Sequence, residues 1–173
     1  MIFQLFLPLK VTTEKTLISM TPLDSIDKKL LHYLQEDAHL TTKELASKLN
    51  LTTTPVHERI KRLEKEGYIT GYVALVNKLK VEKGLVGFCN VWLKEHSHPY
   101  LKKFEHEVLS LNEVIECYHI AGNFDYLLKV MVKDMAEYQH FIVNKLAKLD
   151  NIGNAQSSFV MTEIKHSTAL PIA

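Results

Sequence analysis

The chain has 173 residues, 46% hydrophobic and 24% charged, the balance of an ordinary soluble globular protein with room for one domain or two small ones. A net charge of +1 excludes a protein that coats nucleic acid through overall basicity, so any anion-binding surface must be local. Two cysteines, Cys89 and Cys117, show no pairing pattern and point to a reducing, cytoplasmic compartment.

Residues 1–21 do not read as part of the fold. MIFQLFLPL is apolar but too short to span a bilayer, has no basic segment ahead of it and is interrupted by Pro8, which argues against a signal peptide or membrane anchor. Met20 stands directly before Thr-Pro-Leu-Asp, where the first good helix begins. Met20 is therefore the expected native start, with the preceding residues an upstream leader.

Residues 22–70 read as three helices. Asp24 caps SIDKKLLHYLQEDA, in which Ile26, Leu30, Leu31 and Leu34 recur at helical spacing. Thr41 and Glu44 form a capping box that opens TKELASKL, with Leu45, Ala46 and Leu49 apolar, and Asn50 tolerates the left-handed conformation that stops it. In TTTPVHERIKRLEKEG, Thr54 is the expected N-cap, Pro55 the first helical residue and Gly67 the left-handed stop. At about 100° per residue, Val56, Ile60 and Leu63 form an inward stripe, with Thr54, Glu58, Lys61, Arg62 and Lys65 on the opposite face.

Two short helices joined by Asn50-Leu51-Thr52, the second polar and basic outward, make a helix-turn-helix, the unit that lays its second helix in the major groove. An ordinary helical hairpin in a small α-domain shares the pattern. The candidate contacts to double-stranded DNA divide by position. Thr53, Thr54, His57 and Glu58 lie at the helix front, where base edges are read. Arg59, Lys61, Arg62 and Lys65 supply the local positive charge, with Lys61, Arg62 and Lys65 assigned to phosphate. His57 could equally be solvated, and Glu58 could pair with Arg62 instead of accepting from a cytosine amine.

After Gly67, YITGYVALV is rich in β-branched and aromatic residues and predicts one or two short strands, with 71–84 as connecting strand and linker. Residues 85–166 change rhythm. The pattern predicts strands Leu85 to Leu93, Val114 to Ala121, Tyr126 to Val132 and Ser157 to Ile164, with helices His98 to Leu111 and Met135 to Leu149. The order β-α-β-β-α-β is the ferredoxin-like unit with both helices on one face, which makes the whole chain an α+β protein with 167–173 as a tail. Both alternating sets in LVGFCNVWL are largely apolar. The second sheet face should therefore be covered by another surface, most economically an identical one in a homodimer.

No Gly-rich phosphate loop, no Ser/His/Asp or Cys/His arrangement and no HExxH motif is visible, so no catalytic residue is assigned. His96 and His98 form a His-x-His pair without an apparent third ligand, so no metal is assigned either. A small ferredoxin-like metabolic enzyme and an architectural DNA-binding protein without effector control are the alternatives to a regulator.

Taken together, TTTPVHERIKRLEKEGYITGY, the short linker, IAGNFDYLLKV and SSFVMTEIKHSTALPI resemble the Lrp/AsnC (feast/famine) transcription regulators from about Leu23 to the C-terminus. The resemblance implies a winged-helix-like DNA-binding domain joined to a ligand-sensing dimerisation domain. It also implies dimers assembling into tetramers or octamers, and a small-molecule effector, a free amino acid, in place of a cofactor. Carried over by position, the effector site falls at Gly122, Asn123 and Asp125, with Ser157 from the last strand. Gly122 would let backbone N–H groups reach a carboxylate, and Asp125 would accept from an ammonium. Ala155 stands where relatives often carry a hydroxyl, and Gly-Asn between strands is also what a plain hairpin turn requires.

Overall fold

The computed structural model describes residues 21–172. The expectations for the leader and for a start at Met20 lie outside the described residues. Two compact units are present, one formed by 21–73 with 167–172 and the other by Ala74–His166.

The first unit holds helices α1 (Ser25–Glu36), α2 (Thr42–Leu49) and α3 (Thr53–Lys65). The sequence writes most of their ends. Asp24 accepts from the N–H groups of Ile26 and Asp27, and Thr41 and Glu44 cap each other's backbone reciprocally. Asn50 stops α2 in the left-handed region at φ 54°, and Gly67 follows α3 at φ 78°. The start of α3 differs from expectation. Thr52 is the N-cap, so Pro55 sits third in the helix, a place it fills without loss because the first four N–H groups have no intrahelical acceptor. Leu30, Leu31, Leu45, Ala46, Val56 and Leu63 form the core of this unit.

No strand forms between Gly67 and Leu85. A strand needs a ladder partner, and within this chain Tyr72, Val73, Leu75 and Val76 have none and remain exposed.

The second unit is a four-stranded antiparallel sheet of β1 (Leu85–Leu93), β2 (Val114–His119), β3 (Tyr126–Val132) and β4 (Ile152–Phe159), in the order β2-β3-β1-β4. This is the ferredoxin-like arrangement. Helices α4 (His98–Val108) and α5 (Met135–Asn144) supply Phe104, Val108, Tyr138 and Phe141 to a core shared with Cys89, Val91, Leu93, Leu128, Val130 and Val132. Phe88, Trp92, Leu127 and Met131 alternate onto the other face, where Lys129 is neutralised by Glu116 at 2.8 Å. Because β3 lies between β1 and β2, both cysteines are free, as the strand order requires.

Two boundaries are corrected. The last helix breaks after Asn144 and continues as a 3₁₀ turn, Leu146–Lys148. The last strand runs over Ile152–Phe159 and not 157–164, because β1 offers its edge only from Leu93, opposite Ile152, to Gly87, opposite Phe159. Partner availability outweighs the β-propensity of the residues that follow.

Candidate nucleic-acid interface and effector loop

The exposed side of α3 presents Thr53, Thr54, His57, Glu58, Lys61 and Lys65. Its N-terminal turn adds unpaired backbone N–H groups and the positive end of the helix dipole, which favour a phosphate nearby. Lys61 lies 2.9 Å from Glu64, and Tyr72 donates to the other oxygen of that carboxylate at 3.1 Å. Burial and that bond raise the Tyr72 hydroxyl to about 12.

Two cations expected on this surface are elsewhere. Arg59 donates to Asp24 at 2.6 Å and to Asp27 at 2.7 Å, while Arg62 donates to the second oxygen of Asp27 at 2.5 Å. Asp27 is fully buried, and both guanidiniums are pulled inward to 28% side-chain exposure. Hydrogen bonds to Asp27 hold both arginines above their ordinary pKa. The expectation that Arg62 faces outward, and that Arg59 contributes free charge, is corrected on this ground. The sequence did hold a signal. Asp27 falls in the repeat with Leu30, Leu31 and Leu34, and a carboxylate inside an apolar stripe requires a cationic partner.

The loop from Ile120 to Asp125 closes β2 to β3. Asp125 accepts from the Leu93 N–H at 2.7 Å through one oxygen and lies 2.9 Å from His96 through the other, while its own N–H donates to Val91. Trp92 donates its indole N–H to the Asn123 carbonyl and packs edge-on against Phe124. Gly122 is outside the left-handed region, and a Cβ there would meet only the Ile120 side chain at 3.9 Å. The turn therefore does not itself require a glycine at this position.

Ser157 accepts from the Tyr138 hydroxyl at 2.6 Å on the helix-covered side of the sheet. It pairs with Cys89, whereas Asp125 lies beyond the Tyr126 and Val91 pair, with β1 between the two strands. That register separates Ser157 from Asp125 by about 10 Å along the strands and about 10 Å across them, too far for one small amino acid to bridge in this chain. Ser157 and the 122–125 loop are therefore not brought together. His96, weighed as half of a His-x-His pair, is engaged with Asp125.

Residues 23–70 match the family description "Winged helix-turn-helix DNA-binding", and residues 86–170 match "Lrp/AsnC ligand binding domain". The chain is 40% identical over 150 residues to the DNA-binding transcriptional activator DecR of Escherichia coli K12, covering 87% of this chain and 99% of that protein. It is 36% identical over 150 residues to the leucine-responsive regulatory protein of the same organism, covering 87% and 92%. Among solved structures, an AsnC family transcriptional regulator from Agrobacterium tumefaciens superposes with a TM-score of 0.83 at 40% identity, covering 86% of this chain and 97% of that one. A Neisseria meningitidis transcriptional regulator in complex with L-Met superposes with the same TM-score, 0.83, at 37% identity, covering 87% and 97%.

Proposed function

Because the chain belongs to the Lrp/AsnC family of DNA-binding transcription regulators, we propose that α3 reads the major groove and that a homodimer sets two copies of it about 34 Å apart on one face of the duplex. Thr53, Thr54, His57 and Glu58 contact base edges, and Lys61 and Lys65 contact phosphate. Arg59 and Arg62 leave the contact set, since Asp24 and Asp27 already hold them. The observation that carries this reading is the exposed front of α3, free of any core role, on a helix anchored from behind by Val56 and Leu63.

The second unit senses a small molecule, and a free amino acid is the favoured class. Support comes from the Neisseria meningitidis regulator in complex with L-Met and from the Asp125 carboxylate beside the 122–125 loop. Further association of dimers would complete a pocket that one chain leaves open, and the effector would act through its differential affinity for assembly states. A reducing cytoplasm suits two free thiols and a DNA partner. No catalytic step is assigned to any residue, and no helix among the described residues is long and apolar enough to cross a membrane.

The test uses duplexes selected by the protein itself from a random-sequence pool. His57→Ala should change the order of preference among selected duplexes, whereas Lys61→Ala should weaken all of them alike and flatten the salt dependence. An unchanged order with His57→Ala removes His57 from base readout. Equal binding of selected and scrambled duplexes by the unaltered protein would favour an architectural role.

A further inference from the structure

Asp27 raises a question that the core does not answer. Leu and Val contacts between α3 and its neighbours are non-directional, so Val56 and Leu63 fix how deep α3 sits better than they fix its rotation about its own axis. The carboxylate of Asp27, fully buried on α1, is gripped by Nη1 of Arg59 on one oxygen and by Nη2 of Arg62 on the other. These donors are three residues apart on one helix, and hydrogen bonds of this kind are directional as well as charged. Asp24 accepts from the same Nη1 of Arg59 at 2.6 Å, and its own N–H donates to Asp27 at 3.1 Å. Two carboxylates from the start of α1 thus match two guanidiniums from the middle of α3, with no net charge left over.

We propose that Asp27 is a positioning residue for DNA recognition: it sets the rotation of α3 and withholds two cations from the phosphate backbone, so that sequence preference is not swamped by non-specific attraction. The inference rests on the reading of α3 as the groove-entering helix. With Arg59 and Arg62 sequestered, the exposed cations of this helix are Lys61 and Lys65. Each further phosphate contact would add binding to every sequence alike, whereas a fixed helix rotation favours only sequences whose base edges fit.

The experiment measures the slope of log K against log salt for the full chain, on a duplex selected by the protein and on a scrambled duplex of equal length. Asp27→Asn keeps the shape and an acceptor but removes the charge that holds both arginines. Its expected result is a slope steeper by about 0.9 for each arginine that reaches a phosphate, tighter binding to the scrambled duplex and a selectivity ratio reduced by roughly tenfold or more. A folded Asp27→Asn protein with unchanged slope and ratio overturns the proposal. Arg62→Gln keeps the inference testable should Asp27→Asn fail to fold, because Asp27 retains Arg59. Its slope should equal that of the unaltered protein, and a loss of about 0.9 would show Arg62 on a phosphate and overturn the proposal. Lys65→Gln separates the two readings: it should lose about 0.9 in slope, and no loss would count against the outward reading of α3 whatever Asp27 does.

Discussion

Asp125 binds its surroundings through four groups at once: two carboxylate oxygens toward the Leu93 N–H and His96, a backbone N–H toward Val91 and a backbone carbonyl that accepts from the Ile120 N–H. The side chain is only 20% exposed, so its loss leaves the Leu93 N–H short of an acceptor as well as removing a charge from the loop. Asp125→Ala should therefore cost the second unit about 1.5–3 kcal/mol, read as a lowered chemical-denaturation midpoint. It should also abolish any thermal shift produced by a screen of the twenty amino acids, while selected duplexes still bind. Asp125→Asn should restore much of the stability, since an amide oxygen can accept from Leu93, without restoring the response to an ammonium. Recovery of both would mean that the carboxylate serves the loop alone.

Helices α1 and α2 of the first unit are held at their starts by carboxylates. The Asp27 N–H, with help from Arg59, keeps the Asp24 carboxyl below its ordinary value of 3.8, and the Thr41 N–H and hydroxyl keep Glu44 below 4.5. A folded pKa lower than the unfolded one gives stability that is fully present above the unfolded value and lost as pH falls through the folded one. Thermal unfolding followed by circular dichroism should accordingly change little between pH 7 and 5 on account of these groups and decline below about 4.5. Glu44→Ala should lower the midpoint at pH 7, and the gap should narrow as pH falls and the native carboxyl takes up its proton. A gap as wide at pH 3 as at pH 7 would show that charge at the start of α2 contributes nothing.

For the whole molecule, the open face of the second unit is the surface on which the proposed assembly is tested. Phe88 and Trp92 from β1 and Leu127 and Met131 from β3 are half-buried there within one chain, beside the Lys129 and Glu116 pair. An apolar sheet face of this kind is the sort of surface that a twofold partner covers. Equilibrium sedimentation at micromolar concentration should give a dimer or a larger species. Phe88→Lys should shift it toward monomer with the circular dichroism spectrum retained, because the residue lies outside the helix-covered core. A monomer for the unaltered chain would sink the arrangement of two reading helices one helical turn apart.

What the sequence by itself determined is local. Caps at Asp24, Thr41 and Glu44, stops at Asn50 and Gly67, and the alternation in 85–93 and 126–132 each depend on residues close in the chain, and the structure places them as read. The tertiary structure decided whatever needs a partner far along the chain. Tyr72 to Val76 have strand-like residues but no ladder, and β4 starts at Ile152 because that is where the free edge of β1 begins. Within this chain Ser157 accepts from Tyr138 and lies apart from the 122–125 loop. Arg59 and Arg62 are claimed by an aspartate more than thirty residues earlier, in α1. Periodicity tells which face a residue occupies but not how far a long guanidinium reaches, and a buried charge takes its partner from whichever element folding brings within hydrogen-bond distance.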